Sequence, residues 1–165
     1  REMGKTLILP VRWNLATAKP VLGINPAEKL LTNGIRGSLK YSDFEWCSWT
    51  NNDSVSFTID LLKPEVLNTL TLGCITNNGM AIHKPASVKV EVSDDNSNFR
   101  EAAMQSFTPE EIFREGNFIE NLPLKLGGTQ GRYVRVSAKG PGVCPASHVR
   151  SGQASRIFFD EVMLE

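Results

Sequence analysis

Apolar and polar residues alternate with a period of two along much of this chain, and this pattern restricts the fold more than any other feature. The clearest example is segment 55–61, where every second residue is apolar, as in a strand with one buried face. Helix signals are limited to two short capped segments, 25–31 and 108–116. Further strand segments are predicted at 70–74, 88–92, 118–126, 134–136 and 156–164. About six or seven short strands with almost no helix predict an all-β fold, an antiparallel β-sandwich of jelly-roll type.

Length and charge balance exclude several classes of function. A chain of 165 residues fits one domain with a substantial core. Lysine plus arginine number 18, the same as aspartate plus glutamate, and there is no basic run with interleaved aromatic residues. No apolar run approaches the ~20 residues of a membrane span. The three cysteines match no C-x-x-C spacing. The sequence therefore predicts neither a nucleic-acid partner nor a membrane span.

The reactive side chains argue against an enzyme. The chain has two histidines, and the nearest thiol-imidazole pair, Cys144 and His148, lies in an irregular loop that does not fix hydrogen-bond geometry. Asp160 and Glu161 could be considered as carboxylates for glycoside cleavage, but adjacent residues of a strand point to opposite faces. The isolated domain is therefore predicted to be non-catalytic.

Several phrases, taken together and in order, resemble the factor V/VIII type C (discoidin-like) domains and their carbohydrate-binding-module relatives. The phrases are NLATAKPV, LLTNGIRGS, VSFTIDLLKPEVLNTLTL, SVKVEVSDDNSNFRE, and GRYVRVSA with FFDEVML. The resemblance implies a galactose-binding-domain-like β-sandwich. The chain departs from the family pattern at three positions: Asn33 replaces an aspartate, Leu62 replaces a glycine, and Ser147 replaces an aromatic residue.

The C-terminal segment 131–165 is similar more narrowly to modules that follow the catalytic domain of family 20 β-hexosaminidases (chitobiases) of Bacteroidetes. This resemblance implies a parent glycoside hydrolase that acts as a partner in cis, and an extracellular, periplasmic or cell-surface location. Residues 1–14 are interpreted as a linker or docking segment of that parent, and residues 15–165 as the module itself.

The resemblance also implies a structural cation beside the turn in LLTNGIRGS. Oxygen ligands suit a hard Ca²⁺ ion, and Asn33, Ser38 and Glu161 match the family's ligand positions. Replacing the family's aspartate by Asn33 removes one negative charge. The alternative is a turn in which asparagine and glycine adopt left-handed backbone without an ion.

Sugar recognition requires a flat apolar ring and a few directed polar groups. Segment 41–49 supplies candidate rings: Trp49 is expected in the core, whereas Trp46 is either a core residue or an exposed platform. Two loops that lie at one end of the sandwich in the resembling modules supply amide, imidazole and guanidinium groups. The predicted ligand-binding residues are Tyr41, Trp46, Asn77, Asn78, Met80, His148 and Arg150.

Two functions remain open from the sequence. In the first, the domain binds N-acetylhexosamine or galactose-type glycans without catalysis. In the second, it is a structural module that docks on its parent catalytic domain and binds no sugar. The apolar start KTLILPVRW and Ser147 favour docking.

Overall fold

The computed structural model describes residues 5–6, 12–15, 31–49 and 54–165. The strands are β1 Lys5–Thr6, β2 Arg12–Leu15, β3 Cys47–Trp49, β4 Val55–Asn77, β5 Ser87–Ser93, β6 Phe99–Ser106, β7 Asn117–Lys139 and β8 Ile157–Leu164. A 3-10 turn, Asn78–Met80, follows β4, and a short helix, α1, spans Pro109–Ile112. The predicted all-β fold is confirmed, and no helix in these described ranges is long and apolar enough to cross a membrane.

All strand pairs are antiparallel, in the order β1-β8-β4-β7-β5-β6, with β2 added to β4 and β3 to β8. The long β4–β7 ladder changes register between Asp60 and Glu65. The part of β4 before this break pairs with β2, and the part after it pairs with β8. The ladder therefore contributes to both layers of a sandwich.

Leu62 lies at this break, at the position where the resembling domains have glycine. Its φ of 69° is left-handed, a conformation that is unfavourable for a residue with a Cβ. The Leu62 N–H donates to Asp60 Oδ1 at 2.8 Å, and this bond holds the backbone turn. This chain therefore places a leucine in a backbone conformation that favours glycine.

The core fills the space between the two layers with the apolar faces of the strands. It includes Phe57, Leu72, Val90, Leu122, Val134 and Phe159. Trp49 is buried in it, as predicted. A second, smaller cluster contains Trp46, Ile75, Ile82 and Phe158. This second cluster supports the loops described below.

Two sequence predictions concern the first half of the chain. The helix predicted at 25–31 lies outside the described residues except for Leu31. Within the predicted linker 1–14, β1 pairs with Met163 and Leu164, and β2 pairs with residues 57–60. The described parts of this segment thus pair with the domain's own sheet, and its docking role stays a prediction.

The second predicted helix is confirmed as α1, with the Thr108 hydroxyl accepting the Glu111 N–H.

Candidate functional site

Three connections meet beside the strand ends: the turn after β4, the α1–β7 connection, and the loop between β7 and β8. Backbone hydrogen bonds join them, from Asn78 N to Gly116 O at 3.1 Å and from His83 N to Arg156 O at 3.0 Å. They enclose a cleft of about 450 Å³, which we call the histidine cleft. Its lining residues are Asn78, Pro109, Glu110, Phe113, Glu115, Pro145, Ser147, His148 and Val149.

The β7–β8 loop is irregular in sequence but ordered by its own hydrogen bonds. The His148 N–H donates to Pro145 O at 2.9 Å, and the Cys144 N–H donates to Gln153 O at 2.8 Å. The Gly152 N–H returns to Cys144 O at 3.0 Å. These turns fix the backbone from which His148 projects, so proline, glycine and serine here build a rigid loop.

His148 lies at the centre of a small polar network. Its Nε2 is 2.9 Å from both Asn78 Nδ2 and His83 Nε2. Its Nδ1 accepts the backbone N–H of Arg150 at 2.8 Å, so a neutral His148 carries its proton on Nε2. That proton points to His83 Nε2, which must then accept. The Asn78 amide fits the same network only when its oxygen faces His148 and shares the single Nε2 proton with His83 Nε2.

His83 is completely buried, although it is an ionisable residue. Burial lowers its pKa to about 4, and the neighbouring His148 acts in the same direction. His83 is therefore neutral at pH 7, and it can hold His148 without adding charge. The sequence could not indicate this pairing, because the two histidines are 65 positions apart.

Phe113 supplies the aromatic surface of the histidine cleft. It is partly exposed, with its ring centroid 5.1 Å from that of His83 and 6.1 Å from that of His148, edge to face. Sequence reasoning missed it, because Phe113 follows a capped helix and is typical of a helix end that packs on a sheet. The available signal was its position directly after α1, in a connection that faces the two loops already singled out.

The charges that line the histidine cleft are negative. Glu110 and Glu115 line it, and none of its lining residues is lysine or arginine. The nearby Arg150 is held elsewhere, since its Nε donates to Gly79 O at 2.8 Å. Arg114 lies over the Phe118 ring at 4.0 Å. The cleft therefore favours neutral or cationic ligands over anionic ones.

The predicted ligand-binding residues divide into two groups. Asn78 and His148 line the cleft, and Arg150 ties the β7–β8 loop to the turn after β4. Tyr41 and Met80 instead pack against the smaller core cluster, and Tyr41 meets the Phe158 ring edge to face at 6.2 Å. Asn77 ends β4 through backbone bonds to Ile82, and it does not line the cleft.

The interpretation of Trp46 as an exposed stacking platform is wrong. Trp46 is only 2% exposed and packs with Ile75, Ile82 and Phe158. Its Nε1–H donates to Ser38 O at 2.8 Å, which satisfies the indole in the interior. A side chain at Gly37 would collide with the indole ring. Trp46 is therefore a core residue that anchors loop 37–46.

Two buried acidic residues of β8 lie against loop 33–37 and, with Arg36, form what we call the carboxylate cluster. Asp160 Oδ2 accepts from Arg36 Nε at 2.8 Å and from Gly37 N at 2.9 Å. Glu161 Oε2 accepts the Gly34 N–H at 2.9 Å, whereas Glu161 Oε1 is buried with no hydrogen-bond partner among the described residues. Burial raises the pKa of Glu161 to about 8.

The other predicted metal ligands lie on the same loop as Gly34. Asn33 Oδ1 accepts the Ile35 N–H at 2.9 Å, and Asn33 Nδ2 donates to Glu45 at 2.7 Å. The Asn33 side chain therefore pins the turn. Ser38 accepts the Trp46 indole N–H through its carbonyl oxygen.

Comparison with known proteins agrees with this architecture. The model of the F5/8 type C domain family matches residues 19–151, and the chain belongs to this family. Homologous domains of the family are non-catalytic binding modules. No curated protein sequence matches the chain.

Solved structures at low sequence identity share the fold. CpGH89CBM32-5 from Clostridium perfringens, solved with GalNAc-β-1,3-galactose, is 16% identical, covers 93% of this chain and 94% of its own, and has a TM-score of 0.56. The chitosan-binding module 1 of a Paenibacillus sp. IK-5 chitosanase/glucanase is 12% identical over 98% of both chains, with a TM-score of 0.57. The C-terminal domain of a Bacteroides fragilis chitobiase is 14% identical over 93% and 92%, with a TM-score of 0.49.

Proposed function

We propose that the domain binds terminal hexose units of the N-acetylhexosamine or galactose type in the histidine cleft. The observation that carries this proposal is the placement of one aromatic ring, Phe113, beside the imidazole of His148 and the amide of Asn78 in a single cleft. An apolar ring covers the C–H face of a pyranose, while the amide and imidazole bond its hydroxyl groups. The same type of ligand, GalNAc-β-1,3-galactose, is bound by the Clostridium perfringens module.

The charge of the cleft narrows the class of sugar. Glu110 and Glu115 would repel a uronate carboxylate, whereas they tolerate a neutral sugar and attract an amino sugar. Both side chains are exposed, so each contributes modestly and salt screens the effect. Neutral and amino hexoses are therefore the expected ligands, and uronates are not.

We further propose that the module is part of a secreted or surface glycoside hydrolase and acts in cis with its catalytic domain. The proposed parent is a β-N-acetylhexosaminidase. The support is the resemblance of segment 131–165 to modules of such enzymes. Tethering raises the local concentration of the substrate even when the module binds weakly. Weak binding is expected, because an open cleft removes little water from the sugar.

A structural Ca²⁺ ion beside the carboxylate cluster is also proposed. The observation behind this proposal is that Glu161 Oε1 is a buried oxygen without a partner among the described residues, while loop 33–38 lies against Glu161 through the Gly34 N–H. Glu161 would supply the carboxylate, and Asn33 and Ser38 would supply oxygens of the loop. The ion would hold the loop against β8 and take no part in sugar chemistry.

The test is a calorimetric titration of the full chain with methyl β-glycosides of N-acetylglucosamine, N-acetylgalactosamine, galactose and galacturonic acid. His148→Ala should weaken binding of the preferred neutral sugar at least about tenfold, because it removes a directed polar group from the cleft. Gln105→Ala, exposed on β6 away from the cleft, is the matched control and should bind as the wild type. Equal affinity of His148→Ala and wild type would refute the site.

An apolar surface on loop 35–44 favours the second candidate, a module that docks on its parent catalytic domain. Ile35, Leu39 and Phe44 are exposed, Phe44 by 67%. Three large apolar side chains exposed within ten residues of one loop would form an interaction surface if they lie together. Phe44→Ser should leave sugar affinity unchanged and raise the solubility of the isolated domain. If no sugar binds and Phe44→Ser is more soluble, docking replaces sugar binding as the function.

A further inference from the structure

Behind the cleft, three side chains with metal-binding atoms converge. One ring nitrogen each of His83 and His148 and the Sγ atom of Cys144 all lie within 4.8 Å of one another, and the two Nε2 atoms are 2.9 Å apart. These residues come from two different connections, the turn after β4 and the β7–β8 loop. Cys144 and His83 are buried, and His148 connects them to the cleft. We propose that these three side chains bind a Zn²⁺ ion.

The donor types select zinc among the common divalent ions. Two imidazole nitrogens with one thiolate form a borderline-soft set, which Zn²⁺ accepts and which Ca²⁺ and Mg²⁺, with their preference for oxygen, do not. A fourth ligand is at hand, because the Asn78 amide lies 2.9 Å from His148 Nε2 and its oxygen can take that position. The remaining choice for the fourth position is a water molecule from the cleft.

The distances require only small side-chain adjustments. Zn–N bonds of about 2.0–2.1 Å in a tetrahedral site separate two ligand nitrogens by roughly 3.3 Å. His83 Nε2 and His148 Nε2 are 2.9 Å apart and share a proton, so zinc would replace a hydrogen bond between atoms already in position. The Cys144 Sγ lies 3.5 Å from the buried Ser155 hydroxyl, which can donate to the thiolate from outside the metal site.

Zinc binding has a specific consequence for protons. Cys144 binds as the thiolate, so its proton passes to solvent. His148 binds through Nε2, so its proton must move to Nδ1. The Arg150 N–H now donates to that atom, and this hydrogen bond must therefore break. The turn at 148–152 should change its conformation when zinc binds.

The experiment is a zinc titration of the metal-free full chain against a chromophoric chelator, without sugar. We expect one zinc per chain. Removing a residue that only hydrogen-bonds a metal ligand typically weakens metal binding roughly 10- to 100-fold. Cys144→Ala removes a ligand itself, so it should weaken zinc binding by at least this factor. Cys74→Ala is the matched control: Cys74 is also buried but lies in the main core, and this variant should bind as the wild type.

Three further measurements distinguish loss of the zinc site from misfolding of a variant. Cobalt added in place of zinc should give a thiolate charge-transfer band in the wild type and Cys74→Ala, and no such band in Cys144→Ala. The backbone amide resonance of Arg150 should shift in the wild type, and His148→Gln should weaken zinc binding as Cys144→Ala does. If wild type and Cys144→Ala bind zinc equally, or if the wild type does not bind it, the proposal is wrong. Because no sugar is present, either result leaves the sugar proposal intact.

Discussion

The histidine cleft and the carboxylate cluster both bury ionisable side chains, but they compensate the burial differently. In the cleft, the lowered pKa keeps His83 neutral and one hydrogen bond joins it to His148, while His83 Nδ1 is buried with no hydrogen-bond partner among the described residues. In the cluster, Asp160 is ionically paired with Arg36, while one oxygen of Glu161 has no partner among the described residues. A neutral imidazole such as His83 costs less to bury than a charge does, and the hydrogen bonds of His148 at the cleft can be exchanged for bonds to a ligand. A buried carboxylate must be paired, so the cluster is expected to control stability and the cleft to control binding.

The largest expected effect is on stability, from the carboxylate cluster. Asp160→Ala should lower the free energy of unfolding by about 2–4 kcal/mol, because it leaves the Gly37 N–H and the Nε–H of the partly exposed Arg36 without their acceptor, although Arg36 keeps its bond to Asn121. Urea unfolding followed by tryptophan fluorescence measures this. Glu65→Ala removes an exposed ion pair with Lys63 and should change stability by no more than about 0.5 kcal/mol. If the two variants lose equal free energies of unfolding, the carboxylate cluster does not control stability.

The second effect is a pH dependence that separates the two regions. The pKa of Glu161 is raised to about 8, so its contribution to stability is present below about pH 4.5 and is lost as the pH rises toward 8. The pKa of His83 is lowered to about 4, so its contribution is present above about pH 6.5 and is lost as the pH falls. Between about pH 4.5 and pH 6.5, the Glu161 contribution to the free energy of unfolding falls with rising pH, whereas the His83 contribution rises.

Only the Glu161 slope remains above pH 6.5. The metal-free domain should therefore lose about 1.5–2 kcal/mol of stability between pH 6.5 and pH 8. Calcium should remove this loss if it binds the carboxylate, because a ligand of the native state alone stabilises it. Glu161→Gln should show neither the slope nor the calcium effect. If stability falls equally between pH 6.5 and pH 8 with and without calcium, Glu161 titrates as described but no calcium ion binds it.

Local sequence patterns predicted the fold well, because a strand with one buried face has apolar and polar residues in alternation. Segment 55–61 alternates strictly and forms part of β4, and Thr108 caps α1 as its sequence suggests. The length of β4 and β7 was not predictable, since each strand passes through both layers by way of a register shift. At Leu62, the resemblance indicated only that this chain lacks the family's glycine, and the left-handed φ and the register shift near it were not predicted.

The site was less predictable, because its members meet through tertiary contacts. His148 and Asn78 were identified from loop composition, but their contact depends on a β7–β8 loop whose hydrogen bonds no local pattern shows. The aromatic residues gave the least information. Trp46 and Phe113 both sit at the edge of a regular element, and only the packed structure shows that Trp46 is interior and Phe113 is accessible.

The smallest expected effect sharpens this distinction between the two rings. Phe113→Leu keeps an apolar side chain but removes the flat face, so sugar affinity should fall roughly threefold to tenfold, equivalent to about 0.5–1.5 kcal/mol. Phe99→Leu is the control. Phe99, at the start of β6, is also partly buried, but its ring packs against the Arg135 guanidinium and does not line the cleft. The control should bind sugar as the wild type. If both variants bind equally, Phe113 is not the platform.

If the histidine cleft is the sugar site, a titration of the ¹⁵N-labelled domain with N-acetylgalactosamine, followed by NMR, should shift the resonances of the cleft residues, led by Asn78, Phe113 and His148. The resonances of Arg36 and Glu161 in the carboxylate cluster should stay in place. Shifts confined to loop 35–44, or no saturable shifts with any of the neutral sugars, would contradict this assignment of the sugar site.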